Sequence, residues 1–271
     1  MTPLHPLDQA TTLVPTGERR AIGATSPFYA NMAGPFGGAT AAVLLRAVLD
    51  DPACLGDPIA LTVNFCGPIA DGPFEVSWVE KRAGRTVQHW TVDLTQNGKV
   101  AATASVVCAR RTETWTHQPS AIPTVPPASA VEPLALGERD GWLRRYAFRV
   151  IEGPPLFGLP PTDGPRSART VCWLNDLPER TLDFLSLAAL SDAFLVRIIQ
   201  VRGTLGPMGT ITLTTYFHTD GEALTANGAR PVLGVADANV FHRGFADQEA
   251  RLWRDDGLLL ATSVQASFFR D

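Results

Sequence analysis

The sequence predicts an α+β protein made of two copies of one unit, a long apolar helix followed by an antiparallel sheet. Three observations carry this reading. The same order of elements occurs twice along the 271 residues. Matching features recur at similar offsets: the tight turns at Asn97 and Asp256 (256 − 97 = 159), the strand ends Phe65 and Phe217 (217 − 65 = 152), and the helix starts Gly38 and Asp192 (192 − 38 = 154). The 22 prolines and 23 glycines cluster in the connections, which argues against a long helical bundle.

In the first copy, Pro35-Phe36-Gly37-Gly38 opens an apolar run from Ala39 to Leu49. Ala41, Leu44, Leu45 and Val48 fall on one helical face, and Pro52 marks the end. Ile59 to Phe65 is rich in β-branched residues, and Pro68 to Gly72 is a turn. Phe74 to Lys81 and Arg85 to Thr95 alternate apolar and polar residues as half-buried strands do. Gln96-Asn97-Gly98 is a hairpin signal, because Asn-Gly tolerates positive φ, and Val100 to Ala109 returns.

The second copy repeats the order. Leu185 to Gln200 is an apolar helix candidate, and Thr210 to Phe217 is a threonine-rich strand. Val232 to Phe241, Phe245 to Arg254 and Leu258 to Phe269 are further strands, the last two joined by Asp255-Asp256-Gly257. Gln118 to Glu132, with four prolines, reads as a stiff extended linker between the copies. Gly153 to Pro165 is a second irregular stretch. Arg144 to Ile151 and Ala168 to Asn175 read as strands on either side of it.

Composition bounds the function. Hydrophobic residues make up 45% and charged residues 18%, enough for a substantial core. Net charge is −4 and no basic stripe invites nucleic acid or an anionic membrane. Cys54, Cys66, Cys108 and Cys172 lack zinc-ligand spacing, and the five histidines form no metal motif. No apolar run reaches 18 residues and no signal-peptide pattern opens the chain, so a cytoplasmic protein with reduced thiols is expected. A nucleophile elbow, a dinucleotide fingerprint and a P-loop are all missing from the sequence.

A long helix wrapped by an antiparallel sheet is the hotdog unit, and two fused units make a double hotdog. Phe36-Gly37-Gly38 is similar to the phenylalanine-glycine-glycine start in the acyl-CoA thioesterase II family. Ser191-Asp192 resembles that family's catalytic aspartate segment, Thr210-Ile211 its catalytic threonine, and Ala261-Thr262-Ser263-Val264-Gln265 its terminal strand with the catalytic glutamine. The resemblance runs from about Phe28 to Phe269. Thr212 and Thr219 depart from it, standing where the family often has an acidic residue and an arginine. On this reading residues 1–117 are an N-terminal hotdog repeat, 118–135 a linker and 136–271 a C-terminal repeat.

The resemblance implies hydrolysis of an acyl-CoA or related acyl thioester, with Asp192, Thr210 and Gln265 activating water. A carboxylate among Leu190, Phe194 and Leu195 suits a general base. Gln265 and Thr210 offer an amide and a hydroxyl to hold the water. Backbone N–H groups near Gly37 and Gly38 would bind the oxyanion and substrate. Each residue also has a plainer role: Ser191-Asp192 as a helix N-cap, Thr210 as a strand former, Gln265 as a solvent-facing residue, and the glycines as close-packing positions.

No metal or redox cofactor is required, CoA entering only as part of the substrate. Arg82, Arg85 and Arg243 are candidates for its phosphates. A homodimer of double hotdogs is compatible with the pattern. The alternatives are a non-catalytic acyl-thioester-binding protein and an enoyl-thioester hydratase or dehydratase. The second is disfavoured because Asp192 to Arg197 contains no histidine.

Overall fold

The computed structural model describes residues 4–136, 141–153 and 164–270. Much of the irregular stretch expected from Gly153 to Pro165 therefore lies outside the described residues. The first half contains the hairpin β1 (Val14–Gly17) and β2 (Arg20–Ala24), helix α1 (Gly37–Leu49), then β3 (Asp57–Phe65), β4 (Pro73–Ala83), β5 (Val87–Gln96) and β6 (Lys99–Ala109). The second half contains β7 (Tyr146–Glu152), β8 (Thr170–Asp176), helices α2 (Phe184–Leu190) and α3 (Arg197–Arg202), β9 (Met208–Phe217), and helix α4 (Gly221–Asn227). It closes with β10 (Val232–Asp237), β11 (Phe245–Trp253) and β12 (Leu259–Phe269).

The strands form one antiparallel sheet in the order β1-β2-β4-β5-β6-β3-β9-β12-β11-β10-β8-β7, and the pair Phe241–His242 adds to β11. The halves meet at β3 and β9. Thr62 lies opposite Thr214 there, their hydroxyls 3.1 Å apart. Because 214 − 62 = 152, the offset already read in the sequence, these two threonines are equivalent and mark the local two-fold axis.

Irregularities repeat as well as strands. β3 slips its register at Ile59 and β9 at Ile211 (211 − 59 = 152). The β5–β6 ladder slips at Ala101 and the β11–β12 ladder at Leu260 (260 − 101 = 159). The growth in offset, 159 − 152 = 7, equals the 7 residues of α4. Bulges are position-specific features of a ladder, so their recurrence marks a true repeat.

Helix α1 is buried almost all round, from Gly38 to Leu45 and again at Ala47 and Val48. The expected face, Ala41, Leu44, Leu45 and Val48, is fully buried, while Ala39, Val43 and Ala47 are covered by neighbours as well. Each large side chain so buried contributes on the order of 2 kcal/mol. The Asn97-Gly98 turn has φ of 52° and 72°, as a type I′ hairpin requires.

The expected helix from Leu185 to Gln200 is not continuous. α2 ends at Leu190 and α3 begins at Arg197. It also begins before Asp192, at Phe184, with the Asp183 side chain capping the Ser186 N–H. Asp192 is therefore neither a helix start nor an N-cap of its own helix. Its N–H closes a tight turn onto Ala189 O at the end of α2.

The proline-rich segment is not a free tether. Ile122, Val125, Ala128 and Val131 pack on Val171, Trp173, Leu233, Val235 and Trp253, the outward side of the second half's sheet. Trp173 Nε1 donates to Pro126 O, and Gln118 bonds Gly257 and Leu259. Among the described residues no helix is long and apolar enough to cross a membrane.

Candidate active site

Asp192 sits in the break between α2 and α3 and faces the N-terminus of α1 from the other half. That terminus has no side-chain cap of its own, since Phe36 occupies the capping position. The Asp192 carboxylate lies against it, where the Gly38 N–H favours its charged form. A Cβ on Gly37 would lie 2.7 Å from Asp192 Oδ2, and one on Gly38 would lie 2.5 Å from Ala189 O. Both glycines therefore serve close approach, and this is what lets the two halves meet here.

Asp192 is only 8% exposed and Gln265 only 3%. Gln265 Nε2 donates to Asp192 Oδ1 at 2.8 Å, and Thr210 Oγ1 donates to Gln265 Oε1 at 3.2 Å. The three residues singled out from the sequence thus form one hydrogen-bonded row. Gln265 does not face solvent. It lies on the inward face of β12 with Ser263 and Ser267, all buried.

The β9 bulge explains Thr210. In β9 the buried residues are Leu213, Thr215 and Phe217, so strict alternation would turn Ile211 inward and Thr210 outward. The slip at Ile211 instead sets Thr210 opposite Ser267, on the face that carries Gln265. A one-residue bulge re-aims the hydroxyl.

Burial dominates the electrostatics. The Asp192 carboxyl is pushed up to about 7 by its removal from water, against the opposing pull of the Gln265 and Gly38 hydrogen bonds. A carboxylate with this value exchanges a proton near neutrality.

An open cleft of about 450 Å³ begins three residues along the chain from Asp192, lined by Met32, Trp142, Leu143, Leu195, Ile199 and Leu205. Trp142 stacks on Phe36, with ring centroids 4.3 Å apart, so the cleft wall adjoins the start of α1. Arg243 lies in the turn before β11, at the same sheet edge as Thr210, since Phe245 and Gly209 both pair with Phe268. Arg82 and Arg85 lie at the other end of the strands, near Ala109, which pairs with Val87 and Asp57. Those two arginines are not placed to serve this site. Among the described residues no group of three or more His, Cys, Asp and Glu could hold a metal ion.

Two buried polar residues of the region were not singled out from the sequence. Arg197 is 1% exposed and Gln248 is 2% exposed. Gln248 had a visible signal, a polar residue in the inward phase of Ala246, Ala250 and Leu252. Arg197 had none, because a single arginine within an apolar helix pattern reads as a surface residue.

The architecture and the buried row of acid, amide and hydroxyl define a double-hotdog protein with a polar site between its halves. The chain belongs to the acyl-CoA thioesterase II family. The model of the acyl-CoA thioesterase N-terminal domain matches residues 26–109, and that of the C-terminal domain matches residues 119–269. A hot dog fold protein of unknown function from Alicyclobacillus acidocaldarius is 38% identical, with a TM-score of 0.92 over 99% of each chain. Acyl-CoA thioesterase II of Mycobacterium marinum is 18% identical, with a TM-score of 0.74 over 97% of this chain and 98% of that one. The tesB protein of Mycobacterium avium subs paratuberculosis is 20% identical, with a TM-score of 0.78 over 98% of each. No curated protein sequence matches the chain.

Proposed function

We propose that this protein hydrolyses acyl-CoA thioesters, releasing carboxylic acid and free CoA thiol by direct attack of water. The observation that carries the reading is the Thr210–Gln265–Asp192 row, closed on a buried carboxylate at the glycine start of α1. Asp192 takes a proton from a water held beside Gln265 and Thr210. The water oxygen bonds to the acyl carbon, and the carbonyl oxygen becomes an oxyanion. The Gly37 N–H, in the first turn of α1, supplies a donor for it. Collapse breaks the carbon–sulfur bond, and the thiolate leaves with the proton that Asp192 holds. The acyl chain lies in the cleft walled by Leu195 and Ile199, and Arg243 meets the CoA phosphates.

Thiol release from a panel of short to long acyl-CoAs tests this, comparing wild type with Asp192→Ala. Wild type is expected to release thiol, and the folded variant to lose about 10²-fold or more, the size of general acid–base catalysis. Binding of acyl-CoA without turnover at any chain length would favour an acyl-thioester-binding protein instead.

A further inference from the structure

Gln248 stands directly opposite Gln265 in the β11–β12 ladder. Both side chains project to the inward face, and cross-strand neighbours there have Cβ atoms about 5 Å apart. The orientation of the Gln248 amide is fixed by Arg197, whose Nε donates to Gln248 Oε1 at 3.2 Å. A guanidinium only donates, so the amide oxygen must face it and the NH2 must face away. Arg197 is itself held by Leu195 O, Ala168 O and Thr170 Oγ1. It makes no ion pair with a carboxylate among the described residues.

This is a costly arrangement. A buried guanidinium without a counter-ion is unfavourable, and burial holds Arg197 below its ordinary value, at about 10. Among the described residues the Gln248 Nε2 is buried and meets no acceptor. Such groups are normally satisfied, so this one points to an acceptor from outside the chain.

We propose that Gln248 is a further catalytic residue, its NH2 donating a hydrogen bond to the acyl carbonyl oxygen of the thioester bound beside Gln265. The inference rests on the hydrolase reading above. It adds a side-chain donor, on the sheet, to the backbone donor at the start of α1. Arg197 sets which end of the amide is presented.

Gln248→Glu isolates the claim. It keeps an oxygen for Arg197 and gives that cation a counter-ion, while it removes the NH2. Gln248→Met serves as the uncharged second variant. Thermal melting identifies folded protein, and kcat/KM is read on the alkaline plateau, where Asp192 is ionised in every variant. Gln248→Glu is expected to melt no lower than wild type, yet to lose about 10²-fold in kcat/KM, as removal of one oxyanion donor does. Gln248→Met is expected to lose activity to a similar extent. Wild-type kcat/KM in a folded Gln248→Glu or Gln248→Met protein would overturn the proposal and leave the amide serving a buried water only.

Binding of a non-hydrolysable acyl-CoA thioether ketone, which keeps the carbonyl, separates the two readings. If wild type binds it but hydrolyses no thioester, the hydrolase reading fails alone. Gln248 then stands only if both variants bind the analogue at least tenfold more weakly, and equal binding overturns it.

Discussion

The two halves share a sheet plan but not a chemistry. The first half keeps its helix whole from Gly37 to Leu49, whereas the second breaks it between Leu190 and Arg197 and places Asp192 in the gap. The bulges make the strand positions comparable. Pro58 corresponds to Thr210 (210 − 152 = 58), and Val106 corresponds to Gln265 (265 − 159 = 106). Thr210 and Gln265 are thus matched by a donor-less proline and by a valine that is fully buried. Duplication therefore gave two frames and one site. The second half supplies acid, amide and hydroxyl, and the first supplies the glycine-rich helix start against which they close.

The outer faces of the sheet differ in the same sense. In the first half Thr91, Asp93, Thr103 and Ser105 lie on the side away from α1, a polar surface suited to water. In the second half that side carries Val171, Trp173, Leu233 and Trp253 and is covered by the proline-rich strap. The strap is thus part of the second half's fold.

The largest expected effect concerns the cost of holding a carboxyl out of water. Asp192 has a folded value of about 7 against 3.8 for an unperturbed group. Between those values the native protein holds a proton that the unfolded chain has released. Stability from this group is full below about pH 4 and falls as pH rises to about 7, by roughly 4 kcal/mol. Asp192→Asn lacks the titration. Denaturant unfolding at pH 4.5 and pH 8 should show the variant gaining on wild type as pH rises, and a constant difference would contradict the burial argument. Asp176, also raised, to about 6, titrates in both proteins and cancels.

Next in size is the seam between the halves. Gly38→Ala places a methyl group 2.5 Å from Ala189 O, a backbone atom that cannot step aside. A loss of about 1–3 kcal/mol is expected, read as a lowered Tm with activity falling alongside. An unchanged Tm would mean that the halves meet less closely at Asp192 than described. A smaller effect belongs to the strap. Trp173→Phe removes the hydrogen bond to Pro126 O and should cost about 1 kcal/mol while kcat stays within twofold of wild type. The smallest belongs to the first half. Val106→Ile should alter kcat/KM less than threefold, whereas Gln265→Leu should remove most of it; equal losses would break the asymmetry.

Much of this was legible in the sequence. The apolar face of α1, the alternating strands, the Asn97-Gly98 turn and the offsets of 152 and 159 predict the repeat, whereas the offset from Gly38 to Asp192 rested on a helix start that lies instead at Phe184. The family resemblance selects Asp192, Thr210 and Gln265, which the fold brings into one hydrogen-bonded row. What escaped is what periodicity does not encode. Leu185 to Gln200 carries Ser186, Ser191, Asp192, Arg197 and Gln200 among apolar residues, a pattern an unbroken helix accommodates equally, so it does not show the break at Asp192. The bulge that turns Thr210 inward depends on pairing with β12. The β1–β2 hairpin is short and exposed along β1, so it lacks the apolar alternation that marks a strand. Gln248 becomes significant only once the ladder sets it opposite Gln265.

The most direct test is the pH dependence of kcat/KM for acyl-CoA hydrolysis by wild type between pH 5 and pH 9. A base buried at the seam should give a rising limb with its midpoint near about 7, level above it. A flat profile, or a midpoint in the ordinary carboxylate range, would contradict the assignment of Asp192 as the group that activates water.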